Sequence, residues 1–102
     1  MTIISGTTPT IEYTFTEVDP TEIAVAILSI KQNGTTVIER DLTTATVEES
    51  KITWSLSQAE TLSLTVAIPT ILYLDYRLTD GTRGAGVTTS ATVLPSGKKE
   101  VI

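Results

Sequence analysis

The alternation of apolar and polar residues is clearest between Pro69 and Arg83. One side of this ladder carries Leu72, Leu74, Tyr76 and Leu78, and the other carries Tyr73, Asp75, Arg77 and Thr79. Successive side chains of a strand point to opposite faces of a sheet, so the pattern predicts a half-buried antiparallel strand. Asp80-Gly81 then favours a tight turn, because both residue types tolerate positive φ. A return strand is expected from about Arg83 to Val93.

Shorter segments ahead of this hairpin predict further strands. The alternating segments around Tyr13 and Trp54 read as strands with one buried face. The stretch Ile23 to Lys31 is apolar on both faces, which predicts a strand covered on both sides or an inner strand. A helix is the alternative there, but the following Asn33-Gly34 favours a hairpin. The return strand, Thr35 to Leu42, contains charges typical of an exposed edge: Glu39, Arg40 and Asp41.

One helical turn is expected, near Ser57 to Thr61. Ser57 and Glu60 have the spacing of a capping box, in which each side chain accepts a hydrogen bond from the other residue's backbone N–H. Short strands separated by turn signals predict an all-β fold. The expected fold is an immunoglobulin-like antiparallel β-sandwich of about seven strands with one short helical turn. Residues 1–95 form its single domain, and residues 96–102 form a loose C-terminal tail.

The inward positions of these strands give a predicted core. It consists of Tyr13, Phe15, Leu28, Ile30, Ile52, Trp54, Leu56, Leu72, Leu74, Tyr76 and Leu78. Trp54, the single tryptophan, is expected to be its anchor provided that the indole N–H has a hydrogen-bond partner.

Composition and charge narrow the possible functions. The chain has 102 residues, a net charge of −5, and neither cysteine nor histidine. Disulfides, thiolate chemistry and histidine catalysis are therefore excluded. An acidic surface repels phosphate groups, so no nucleic-acid partner is expected. No apolar run reaches the ~20 residues of a membrane-spanning helix, and no signal peptide is visible, so no membrane partner is expected.

No group of residues indicates catalysis or cofactor binding. Asp75 and Asp80 are expected to be an outward strand residue and a turn residue rather than a hydrolytic pair. Oxygen ligands for calcium are scattered, without the spacing of a calcium loop: Asp19, Glu22, Asp41, Glu48 and Glu49. The prediction is a non-enzymatic protein without catalytic residues, cofactor or metal. Its candidate interface is the outward row Tyr73, Asp75 and Arg77 with Arg83, since exposed Tyr and Arg often anchor protein interfaces.

Several short motifs resemble a known group of proteins. They are Gly6 to Thr10 before an aromatic strand, Lys31 to Gly34, Val37 to Arg40, Leu56 to Leu62, and Thr79 to Gly81. The chain is similar to small prophage tail- and baseplate-region proteins of Gram-positive bacteria. It also resembles the immunoglobulin-like N-terminal domain of phage baseplate upper proteins. The resemblance spans Gly6 to about Val93.

The resemblance implies a virion structural protein, a tail or baseplate accessory subunit that binds other phage structural proteins or itself. Such a protein would be virion-associated if expressed from a prophage, and otherwise cytoplasmic in its bacterial host. The alternative is a free-standing immunoglobulin-like binding module for a carbohydrate or a cell-surface ligand. In that case Tyr73 would stack on a sugar ring.

Overall fold

The structure, a computed structural model, describes residues 1–102 and contains nine strands and one short α-helix. The strands are β1 (Thr2–Ile4), β2 (Thr10–Thr14), β3 (Ile23–Gln32), β4 (Thr35–Asp41), β5 (Thr46–Val47), β6 (Lys51–Ser55), β7 (Thr70–Leu78), β8 (Arg83–Ala85) and β9 (Thr89–Leu94). The helix α1 spans Gln58–Leu62, and single 3₁₀ turns span Pro20–Glu22 and Leu42–Thr44.

The strands form two sheets packed face to face. The large sheet has the order β1-β9-β7-β3-β4, with β8 also paired to β7, and the small sheet has the order β2-β6-β5. The neighbours β9-β7-β3-β4 and β2-β6-β5 correspond to the G-F-C-C′ and B-E-D strands of an immunoglobulin variable-type sandwich. All pairings are antiparallel except that of β1 with β9, which places Thr2 opposite Thr92 and Ile4 opposite Leu94. The predicted all-β sandwich is confirmed. It has nine strands rather than about seven, and three of them, β1, β5 and β8, have only two or three residues.

The two predicted turns are present. Asn33 and Gly34 have φ values of 51° and 76°, the positive values that a two-residue hairpin turn requires, and they join β3 to β4 within one sheet. The second turn differs in detail from the prediction, since the connection between β7 and β8 spans four residues, from 79 to 82, and only Gly81 has a positive φ, 91°. The Asp80 carboxylate accepts a 2.8 Å hydrogen bond from the Thr82 N–H.

The predicted return strand from Arg83 to Val93 is wrong as a continuous element. It is divided into β8 and β9, and β7–β8 pairing ends where the Gly86 N–H donates to the Leu74 carbonyl. Gly84 lies so close to the Tyr76 ring that a Cβ atom there would be 2.5 Å from the ring carbon Cζ. Position 84 therefore has no room for a side chain. After β8 the chain leaves β7, and it pairs with β7 again as β9.

One cluster of 15 buried residues forms the core between the sheets. Seven predicted core residues are buried in it, and Tyr13, Phe15, Tyr76 and Leu78 are half-buried against it. Trp54 is fully buried, and its indole N–H donates a 2.9 Å hydrogen bond to the Asp41 carbonyl. Sequence reasoning did not name the other members of the core: Ile3, Ile11, Ile23, Ala26, Ile38, Leu64, Ala91 and Val93.

The helix α1 has the predicted capping box and an additional ion pair. Glu60 Oε1 accepts hydrogen bonds from the Ser57 N–H at 2.9 Å and from Arg40 Nη1 at 2.7 Å. Arg40 was expected to mark an exposed edge, but its side chain and that of Glu60 are only 19% and 24% exposed. The reason is register, because Arg40 lies opposite the buried Leu28 and so points toward the small sheet. The pair links β4 to the segment that connects the two sheets.

The predicted tail, residues 96–102, contains no helix or strand. Its last residue nevertheless contacts α1, because the Ile102 N–H donates to Gln58 Oε1 at 2.7 Å. Gln58 Nε2 donates in return to the Ile102 carbonyl oxygen at 2.9 Å.

Candidate protein interface

The solvent side of β8, β7 and β3, called here the outer face, carries the predicted interface residues. The register of β7 with β3 places Tyr73 beside Ser29, Asp75 beside Ile27, and Arg77 beside Val25. These side chains point away from the core because Leu72 and Leu74, the alternate residues of β7, are buried between the sheets. The polar side of the ladder was therefore assigned to the correct face.

The outer face brings two arginines directly opposite each other. Arg77 on β7 pairs with Arg83 on β8. The flanking hydrogen bond from the Leu78 N–H to the Thr82 carbonyl places the arginine pair at a non-hydrogen-bonded position. Cα atoms are closest there, at about 4.5 Å, and like charges directly opposite destabilise a sheet. Asp75 offsets part of this repulsion, since its Oδ1 lies 3.9 Å from Arg83 Nη2, while Arg77 makes no ion pair within the chain.

A shallow groove of about 270 Å³ runs between these charges and the neighbouring strand. It is lined by Val25, Ile27, Asp75, Tyr76, Arg77 and Arg83. Val25 is 38% exposed although it is a large apolar residue. The groove therefore combines an apolar floor with two cations and one anion.

Tyr73 does not line this groove. It lies further along β7, where the Lys31 ammonium sits over its ring, with Nζ 5.4 Å from the ring centroid. This is a cation–π contact within the chain. The structure thus brings Asp75, Arg77 and Arg83 together and separates Tyr73 from them.

Sequence reasoning missed the contribution of β3 to this site. The apolar stretch from Ile23 was expected to be an inner strand or one covered on both sides. It is an inner strand, between β7 and β4, but nothing in the chain covers its outer face. The signal was present in the sequence, because Ser29 and Lys31 share the face of Val25 and Ile27 and are polar.

The three other aspartates, Asp19, Asp41 and Asp80, cap turns. The Thr21 and Thr43 hydroxyls, and then their N–H groups, donate to Asp19 and Asp41 and lower the pKa of each carboxyl. For Asp80, hydrogen bonds from Thr82, the backbone N–H first, lower the pKa in the same way. No group of three or more His, Cys, Asp or Glu side chains lies close enough to hold a metal ion.

No protein-family model matches the chain, and no curated protein matches it. None of its helices has the length and apolar character needed to cross a membrane. The fold defines the class of the protein, an immunoglobulin-like β-sandwich.

Proposed function

We propose that this chain is a non-enzymatic structural protein of a phage or prophage virion. It acts as a tail or baseplate accessory subunit, and it binds its partner through the outer face. The observation that carries the binding role is the pair Arg77 and Arg83, which stand opposite each other with only one carboxylate nearby. The assignment to a virion rests on the sequence resemblance described above.

The charge arrangement specifies the chemistry of the partner. Arg77 makes no ion pair within the chain, so a carboxylate brought by a partner would relieve the repulsion between the two guanidinium groups. Val25 and Ile27 offer the apolar contact that a protein interface needs beside its charged anchors. The expected partner surface therefore carries an acidic residue next to an apolar one.

A carbohydrate-binding module has less support. A sugar ring needs an open aromatic face, and the Lys31 ammonium competes for the Tyr73 ring, with Nζ 5.4 Å from the ring centroid. Trp54 is buried, and Tyr13, Phe15 and Tyr76 are packed against the core. No second aromatic residue extends the outer face around Tyr73.

Incorporation into phage particles tests this function. Particles induced from the bacterium that encodes the chain are purified, and an antibody against the chain is used for immunoelectron microscopy. Gold label on the tail or baseplate is expected, and particles without label would contradict the proposal. A photo-crosslinker at Tyr73 should then give a product with a tail protein, whereas one at Lys98 in the C-terminal tail should not.

Charge reversal tests whether incorporation depends on the outer face rather than on another surface of the protein. Arg77→Glu is expected to lower incorporation at least about tenfold, because an arginine that anchors an interface as a hot spot contributes ~2 kcal/mol or more. Lys98→Glu, an equal charge change in the C-terminal tail, serves as the matched control and should incorporate normally. Equal loss in both variants would show that net charge, rather than the outer face, determines incorporation.

A further inference from the structure

The edge of the small sheet at β2 differs from the other sheet edges. β1 and β5 have only three and two residues, and β4 has a register shift that leaves Val37 unpaired with β3. Besides charged edge residues such as Glu12, short strands and bulges are the usual means of preventing edge-to-edge pairing. β2 has five regularly paired residues and neither of these devices.

The free edge of β2 presents backbone groups in a regular row. Phe15 donates its N–H to the Ser50 carbonyl, and the Pro9 carbonyl accepts from the Leu56 N–H. These bonds fix the alternation along β2, so odd-numbered residues bond to β6 and even-numbered residues point away from it. The residues with outward N–H and C=O groups are Thr10, Glu12 and Thr14, and all three are exposed.

A groove of about 560 Å³ lies along this edge, between β2 and the segment that joins β8 to β9. Phe15, Val18, Tyr76 and Val87 give it apolar walls, and Val87 is 82% exposed. Tyr13 also lines the groove, and its buried hydroxyl has no hydrogen-bond partner within the chain. Buried polar groups nearly always have a hydrogen-bond partner, and the Tyr13 hydroxyl in the wall of this groove has none.

The charges of the groove select among possible occupants. Glu12 and Glu17 line it, and the only ion pair that either makes is that of Glu12 with Lys51, at 3.6 Å. Pairing β2 with β2 of a second copy, centred on the outward row, would place Glu12 opposite Glu12 of the other copy, which is unfavourable. A basic strand from another protein would instead place a positive charge opposite Glu12, which is favourable.

We propose that β2 is a strand-addition site for an extended, basic segment of a partner protein. The added strand runs antiparallel to β2, as β6 does on the other side, so it continues the antiparallel small sheet. It exchanges backbone hydrogen bonds with Thr10, Glu12 and Thr14. Residues directly opposite each other share a face, so a basic residue opposite Glu12 lies on the outside of the sheet. The alternate residues of the added strand are apolar and enter the groove beside Tyr13 and Phe15. This proposal is independent of the outer face and of any virion role.

The test uses the full chain, isotope-labelled for NMR, and synthetic peptides that alternate valine with lysine or valine with glutamate. The lysine peptide should shift the amide signals of Thr10, Glu12, Thr14 and Val87, and the glutamate peptide should bind at least about tenfold more weakly. N-methylation of the lysine positions removes the N–H groups facing β2 and should abolish binding. N-methylation of the valine positions, which face away, should leave it intact.

A variant in the chain gives the reciprocal test. Proline is tolerated at edge positions whose N–H faces solvent, so Glu12→Pro should stay folded and lose the peptide. Glu12→Gln keeps the backbone donor and should show only the weaker charge effect. The N-methylated peptides decide the question on the unmodified chain if Glu12→Pro does not fold.

Several results would overturn the proposal. They are the absence of binding by every peptide at millimolar concentration, equal binding of the two N-methylated forms, and signal shifts confined to the outer face or β4. Self-association that Glu12→Pro abolishes would assign the edge to a second copy instead.

Discussion

The ion pair between Arg40 and Glu60 gives the sharpest test of how the two sheets are connected. Arg40 Nη1 and Glu60 Oε1 are 2.7 Å apart and both side chains are mostly buried. Arg40 also donates to the Ser55 carbonyl at 3.1 Å and from Nε to the Thr44 hydroxyl at 2.9 Å. Single substitutions therefore change several contacts, and a double-mutant cycle isolates the pair.

The cycle combines Arg40→Met with Glu60→Gln, which keeps an oxygen acceptor for the Ser57 N–H of the capping box. A hydrogen bond to a charged group contributes roughly 1.5–3 kcal/mol. Partial exposure of both partners weakens it by solvent screening, so the expected coupling energy is about 1–2 kcal/mol. Urea unfolding of the four proteins measures it.

The pair Lys51 and Glu12 is the matched control. Its atoms are 3.6 Å apart, and its side chains are 35% and 46% exposed. Its coupling energy should stay below about 0.5 kcal/mol and vanish in high salt. A coupling between Arg40 and Glu60 no larger than that of the control would refute the conclusion that burial strengthens this pair.

The remaining predictions concern the core, the outer face, β8 and pH. Leu74→Ala should lower the unfolding free energy by about 2–5 kcal/mol in urea titrations, and the adjacent Asp75→Ala by no more than roughly 0.5 kcal/mol; equal losses would mean inverted register. Arg77→Thr should raise it by about 0.2–1 kcal/mol at low salt, an effect that high salt removes if repulsion is the cause. Gly84→Ala should destabilise by about 1–3 kcal/mol through its clash with a tyrosine ring, and an unchanged midpoint would exclude that clash. Stability should be flat between pH 5 and 8 and fall below about pH 4, because carboxyls with a lowered folded-state pKa stabilise only while ionised; asparagine at all three positions should flatten the fall, as followed by circular dichroism. These carboxyls belong to Asp19, Asp41 and Asp80.

Local patterns determined the parts of the fold that sequence could predict. The strict alternation of β7 identified both faces of the strand, and the Asn33-Gly34 turn identified the β3–β4 hairpin. The capping box at Ser57 located α1 to within a residue. Each of these signals lies within a few neighbouring residues and needs no knowledge of the rest of the chain.

The errors arose where distant segments decide the structure. The division into β8 and β9 and the inward position of Arg40 both depend on how strands from different parts of the chain pair: β7 pairs with β8 and then with β9, and Arg40 lies opposite the buried Leu28. Ile3 became a core residue only because β1 pairs with β9. The structure brings Asp75, Arg77 and Arg83 to one groove, but the apolar floor that β3 adds to it could be located only from the strand register.

The parallel pairing of β1 with β9 has a mechanical consequence. The Thr92 N–H donates to the Met1 carbonyl, and the Ser5 N–H donates to the Leu94 carbonyl, both at 2.9 Å. Tension that enters through the start of β1 and leaves through the end of β9 pulls two parallel strands in opposite directions along their length. The hydrogen bonds between them lie across that direction, so they share the load and must yield together instead of opening one after another. Pulled in this way, the sandwich resists extension through three residues at one edge of its large sheet.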